Sequence, residues 1–273
     1  MALPTTRIGG IEVSRLCLGS NPFFGYSHQS VARDTWQKRY FTDERIYEIL
    51  QVCAELGVNL FVSGPQPRFA ALRRRLEDET GFHMHWACTP GGKDLEELKA
   101  DTDRVKAMGA EICLPHTCWV EAHLRVGDRE VTHLGEALDY TRDSGMVPGV
   151  STHRPEAIPI AAERGYDCET FILPFNSMGF LCPIEIEWQE RIIADCPKPV
   201  ICIKPLAADR LTPVPALTFV YERIKPMDTV CIGVLSPEEL REDVAIAESL
   251  MAGRRVTEEL PFTRSKEHLK ARR

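Results

Sequence analysis

The sequence predicts an α/β fold of the (β/α)8 TIM barrel class, on three observations. Eight short β-rich runs recur along 273 residues, amphipathic charged segments separate them, and the runs are near-continuously apolar rather than alternating. Such runs suit a parallel sheet covered by helices, and eight strand–helix units suit closure into a barrel of roughly 250 residues. The expected organisation is one barrel over residues 1–253 and a basic, solvated tail over 254–273 that ends in RSKEHLKARR.

In chain order the strands are SRLCLGS, GVNLFVSG, MHWACTP, AEICLPH, VPGVSTH, TFILPFN, PVICIKP and DTVCIGV. After the first comes NPFFGYSHQSVARDTWQKRYF, residues 21–41, a long aromatic and polar insertion read as a loop that walls the site. DERIYEILQVCAELG, DLEELKADTDRVKAMG, HLGEALDYTRDSG, RPEAIPIAAERG and SPEELREDVAIAESL carry apolar residues at three- and four-residue spacing, the helical period. Gly57, Gly109, Gly145 and Gly165 follow four of these helices and fit C-caps. Ser236, Pro237, Glu238 and Glu239 form a helix start: a capping hydroxyl, a proline at the first helical position and acid in the first turn.

Composition removes several function classes. A net charge of −7 argues against a nucleic-acid footprint, which needs a clustered positive face. No apolar run reaches the roughly 20 residues that cross a bilayer, and MALPTTRIGG lacks the regions of a signal peptide, so a cytoplasmic protein with no membrane role is expected. The ten cysteines form no CxxC pair, and most sit inside apolar runs, where a thiol acts as a small hydrophobe.

Chemistry in such barrels sits at the C-terminal ends of the strands. Those ends carry Asn21, Ser63, Thr89, His116, His153, Asn176, Lys204 and Gly233, in strand order. His116, His153 and Lys204 are the catalytic candidates, with Asn21, Ser63 and Asn176 as substrate-binding groups and His28 from the insertion closing over the mouth. Singly, each also reads as a polar strand cap; their coincidence at one level favours a site. Backbone N–H groups from Gly233 to Ser236 stand where barrels often bind phosphate, although Glu238 and Glu239 would repel it. His83 and His85, in HMHW, have metal-binding spacing, but they fall at the opposite end and the sequence places no partner beside them.

RIGGIEVSRLCLGS is similar to the opening hairpin and first strand of the aldo/keto reductases. TVCIGVLSPEELREDVAIAE looks like that family's last strand and cofactor helix, and IKPLAADRLT resembles its seventh strand and turn. With GVNLFVSG and AEICLPH on strands two and four, the resemblance spans nearly the whole chain. It implies a barrel with an aspartate, a tyrosine, a lysine and a histidine at its mouth, and an NADPH cofactor. Here Val62 takes the aspartate's place, no tyrosine follows, and Cys88 or Thr89 stands for the lysine. Only the histidine, His116, matches. Leu235 stands where the resemblance implies a basic residue for the NADPH 2′-phosphate.

A carbonyl reduction without its proton donor loses its general acid, so NADPH is disfavoured. The expected function is proton transfer, an isomerase or lyase acting on a polar carbonyl or sugar-like metabolite, with His116 and His153 as acid and base and Lys204 as electrophile. A divalent metal held by His116 and His153 is a weaker variant. An NAD(P)H-dependent oxidoreductase and an inactive ligand-binding barrel are the alternatives.

Overall fold

The computed structural model describes residues 3–256. A hairpin, β1 (Thr5–Ile8) and β2 (Ile11–Ser14), leads into β3 (Leu16–Gly19), a 3-10 turn (Asn21–Phe24), α1 (Val31–Tyr40) and α2 (Asp43–Leu56). Then come β4 (Leu60–Ser63), α3 (Pro67–Thr80), β5 (His85–Cys88), α4 (Leu95–Ala107), β6 (Ile112–Cys113) and α5 (Thr117–His123). A two-rung ladder of β7 (Leu124–Arg125) and β8 (Glu130–Val131) precedes α6 (Leu134–Asp143), β9 (Val147–Ser151), α7 (Ala157–Arg164), β10 (Thr170–Pro174) and α8 (Ile186–Asp195). β11 (Val200–Ile203), α9 (Pro213–Tyr221), β12 (Thr229–Ile232) and α10 (Pro237–Met251) complete the chain.

Eight parallel strands close in the order β3-β4-β5-β6-β9-β10-β11-β12, with β12 back on β3. They are the eight runs read from the sequence. Both faces of the strands are buried, which explains why the runs read as continuously apolar. Cys17, Leu60, Val62, Ala87, Ile112, Ile172, Ile201 and Cys231 fill the interior. Their chain neighbours Leu16, Phe61, Trp86, Cys113, Phe171 and Cys202 point outward into the helical layer. The hairpin seals the N-terminal end, because Ile8 and Val13 join the interior cluster. Gly9 permits this, since a Cβ there would lie 2.3 Å from Val147 Cγ1 and its φ is +54°.

Gly57 and Gly165 cap α2 and α7 in the left-handed conformation, and Gly109 and Gly145 take positive φ two residues beyond the ends of α4 and α6. All ten cysteines are free, eight of them buried. Burial pushes the Cys113 and Cys168 thiols up to about 12, which leaves them un-ionised, inert packing groups.

The insertion at 21–41 is not a loop. Ser30 caps α1 by accepting from Arg33 N, and Phe23 stacks on Phe61 and edges onto Phe41 inside the core. Its weak amphipathicity hid the helix, because α1 buries only Gln37 and makes no apolar stripe. The tail, from residue 257 onward, lies outside the described residues.

Candidate active site at the barrel mouth

Asn21, His28, Ser63, Thr89, His116, His153, Lys204 and Gly233 line one cavity of about 760 Å³ at the C-terminal end of the barrel. That volume is in the range of small-molecule sites. Seven of these residues come from strand ends, and His28 comes in from the segment between the 3-10 turn and α1.

Lys204 ends β11 with φ +60°, a left-handed conformation costing about 1 kcal/mol for a residue with a Cβ. Its Nζ stands 3.2 Å from His28 Nε2, and Asn21 Nδ2 stands 3.3 Å from the same atom. With the ammonium donating, His28 Nε2 is the acceptor, so the ring proton sits on Nδ1. The His28 segment is tied down: Arg210 donates to His28 O at 3.0 Å, and Gln29 Nε2 donates to Ala208 O at 3.0 Å and Asp209 Oδ2 at 3.1 Å. Burial pulls the Lys204 ammonium below its ordinary pKa. Burial, reinforced by the Lys204 charge, does the same to His28.

His116 is both the end of the β6 segment and the N-cap of α5. Its Nδ1 accepts from Cys118 N at 3.2 Å, so the neutral ring carries its proton on Nε2. Burial, with a smaller push from Lys204, lowers its pKa. His153 is driven down to about 4, first by burial and then by Lys204. At neutral pH the mouth therefore holds three neutral imidazoles around one desolvated ammonium.

Glu121 is the residue that reading strand ends alone overlooks. It lies on α5, five residues past His116, and that short helix turns back over the mouth. Its Oε1 accepts the His153 backbone N–H at 2.7 Å and the Thr117 hydroxyl at 2.8 Å, and lies 3.9 Å from His153 Nδ1. The only signal available in the sequence was the helical spacing of Thr117 and Glu121.

Two expected positions, Asn176 and Ser236, lie off the cavity. Asn176 is fully buried and does not line the cavity: its Oδ1 accepts from Phe180 N at 2.8 Å and Met178 N at 3.2 Å, and its Nδ2 donates to Phe180 O at 3.0 Å. An asparagine after a strand that folds its own loop in this way spends both oxygen lone pairs and one of its two amide hydrogens within that loop, away from the cavity. Ser63 lines the cavity, yet its hydroxyl donates to Gly64 O and accepts from Trp86 Nε1 at 2.8 Å. Ser236 lies off the cavity and caps α10 by accepting from Glu239 N.

At the Gly233–Ser236 turn, read from the sequence as a possible phosphate site, one backbone donor is already engaged. Glu239 Oε2 already accepts from Leu235 N at 2.7 Å, so an internal carboxylate holds the donor that a phosphate would need. Pro22 closes over Gly233, where a Cβ would lie 2.8 Å from its Cδ. Among the described residues, His83, His85 and Glu111 form a cluster of three metal-ligating side chains at the other end of the barrel, and His116 and His153 join none.

Among the described residues no helix is long and apolar enough to cross a membrane. No protein-family model and no curated protein matches the sequence. Solved structures do match by shape. Two structures described as aldo-keto reductases from Pseudomonas aeruginosa superpose with TM-scores of 0.65 and 0.66 at 18% and 17% identity, covering 90% of this chain and 94% and 95% of theirs. A structure described as a 2,5-diketo-D-gluconic acid reductase B gives 0.62 at 14% identity, over 94% of this chain and 95% of its own. Val62, Thr89 and His116 stand together on the cavity wall. The chain has the (β/α)8 fold of the aldo-keto reductases, and its mouth is lined by Lys204 and three histidines, with Glu121 bonded to the His153 backbone.

Proposed function

We propose that the mouth catalyses nicotinamide-independent proton transfer next to a carbonyl, as an isomerase or lyase acting on a polar, sugar-like small molecule. The observation that carries this reading is the gathering of Lys204, His28, His116 and His153 on one cavity, with Lys204 Nζ 3.2 Å from His28 Nε2 and burial disfavouring charge on the imidazoles. Lys204 Nζ donates to the substrate carbonyl oxygen and stabilises the enolate as charge develops there, in a site where burial strengthens the interaction. His153, neutral and anchored through Glu121, removes the proton from the adjacent carbon. His116 donates from Nε2, giving a proton to carbon for an isomerisation or to the leaving oxygen for an elimination, and regains it from the His153 imidazolium through solvent, so that both rings end neutral.

The fold likeness to reductases supports a second reading, reduction of a small carbonyl substrate with His116 as donor. The occupied turn at Leu235 and the missing tyrosine weigh against it. Proton NMR in D2O separates the two. Without nicotinamide, a panel of ketoses, aldoses and 2-keto acids is scored for deuterium uptake at the carbon next to the carbonyl. Uptake by the wild type that falls by at least about 100-fold in His153→Ala supports proton transfer. NADPH oxidation with no exchange on any substrate refutes it in favour of reduction.

A further inference from the structure

The geometry points to a second site, a divalent transition-metal centre formed by His83, His85 and Glu111 at the N-terminal end of the barrel, opposite the mouth. One ligating atom from each side chain lies within 4.8 Å of the other two. The residues are distant in sequence but neighbours in space. His85 opens β5, His83 precedes it by two residues, and Glu111 immediately precedes β6, which pairs with β5.

The hydrogen bonds show why a cation belongs there. His83 Nδ1 faces Glu77 Oε1 at 2.9 Å, so it carries the ring proton and donates it to that carboxylate. His83 Nε2 then presents a lone pair, yet it faces Glu111 Oε1 at 2.5 Å, and His85 Nδ1 faces that same oxygen at 3.2 Å. Acceptors brought this close need positive charge between them, supplied by a proton or by a metal. The other oxygen, Glu111 Oε2, is held by Arg73 at 3.1 Å and by Trp86 N at 2.9 Å, which fixes the carboxylate with Oε1 turned to the histidines.

The set has the parts a metal site requires. Two imidazoles and a carboxylate suit Zn²⁺, Co²⁺ or Ni²⁺, and three protein ligands leave a position for solvent. The Glu77–His83 pair is the carboxylate–imidazole contact that orients metal-bound histidines and raises their basicity. Zinc–ligand bonds of about 2.0–2.2 Å place ligand atoms slightly over 3 Å apart, so only the His83–Glu111 contact has to open. His83 is 40% exposed, and its side chain is free to make that adjustment. The ion would clamp β5 to the segment leading into β6 beneath the hairpin, a bracing role at the end of the barrel where stability rather than catalysis is built.

The test uses the full chain, stripped with EDTA, dialysed and titrated with Zn²⁺ alone by calorimetry in a non-coordinating buffer. One equivalent is expected to bind and raise Tm. Affinity is expected to fall more than 100-fold in His83→Ala and His85→Ala, and about 10- to 100-fold in Glu77→Gln, which touches no metal. Near-UV circular dichroism verifies that each variant is folded. Co²⁺ is expected to give a d–d spectrum without a thiolate charge-transfer band, which separates this centre from binding at cysteine. Equal Zn²⁺ affinity in the wild type and both histidine variants, loss of the tight site in His116→Ala instead, or no binding by the wild type would each overturn the assignment.

Discussion

Replacing Glu121 by alanine removes an oxygen that accepts two hydrogen bonds, from the His153 backbone N–H at 2.7 Å and the Thr117 hydroxyl at 2.8 Å. Bonds to a charged acceptor contribute about 1.5–3 kcal/mol each when well buried. The Glu121 side chain is 32% exposed, so water takes over part of the lost role, and the two together come to about 1–2 kcal/mol. At about 2–4 °C per kcal/mol for chains near this size, thermal unfolding shifts down by about 3–6 °C. Catalysis loses more, because Glu121 fixes the backbone that aims His153, and a displacement of about 1 Å costs about 100-fold. Glu121→Gln keeps an amide oxygen at the Oε1 position. It should retain the deuterium-exchange rate within about 10-fold, while Glu121→Ala loses about 100-fold. Scanning calorimetry and exchange rates on both variants test this. If alanine leaves Tm and rate unchanged, Glu121 does not position His153. If glutamine is as damaging as alanine, its charge rather than its hydrogen bonds is what matters.

Lys204→Met removes the charge that, after burial, most depresses His153. The His153 pKa should rise from about 4 and stay below its ordinary 6.5, as burial remains, and no movement of its imidazole NMR titration would disprove their proximity. His153 also makes folding pH-dependent. With 6.5 unfolded and about 4 folded, the unfolded chain binds the proton first as pH falls, so stability is lost between 6.5 and about 4, by at most about 3 kcal/mol. His153→Asn should flatten denaturant midpoints across that window, and parallel curves for the two proteins would refute the assignment. Gly149→Ala places a Cβ 2.7 Å from both Leu114 Cδ2 and Thr170 O; since that carbonyl is backbone within the barrel, about 1–3 kcal/mol should be lost, and an unchanged urea midpoint would contradict this.

The barrel was legible because its signals are local and repeated. Each strand is a short apolar run buried on both faces, and helix ends are marked by glycines such as Gly57 and Gly165 that take φ values of +75° and +66°. Helix α1 escaped because a segment that buries one glutamine has no periodicity to read. At the mouth, Lys204, His116 and His153 were found because the rule that chemistry gathers at strand ends needs only strand positions. The same rule included Asn176 wrongly, since position at a strand end does not reveal whether an amide turns to the cavity or to its own loop.

The two carboxylates that change the chemistry were missed for one physical reason. Glu121 acts through a helix that folds back over the mouth, and Glu111 meets His83 and His85 only because β5 and β6 are paired. A parallel barrel places residues about 25 positions apart side by side, so partners of a charged group lie one strand–helix unit away rather than beside it in sequence. HMHW looks partnerless along the chain, yet Glu111 stands one such unit downstream, 26 residues beyond His85. His153 stands 32 residues beyond Glu121. Once eight units are recognised, each histidine should be compared with residues at the same height one unit before and after. Applied here, that comparison pairs His85 with Glu111 at one end of the barrel and Glu121 with His153 at the other.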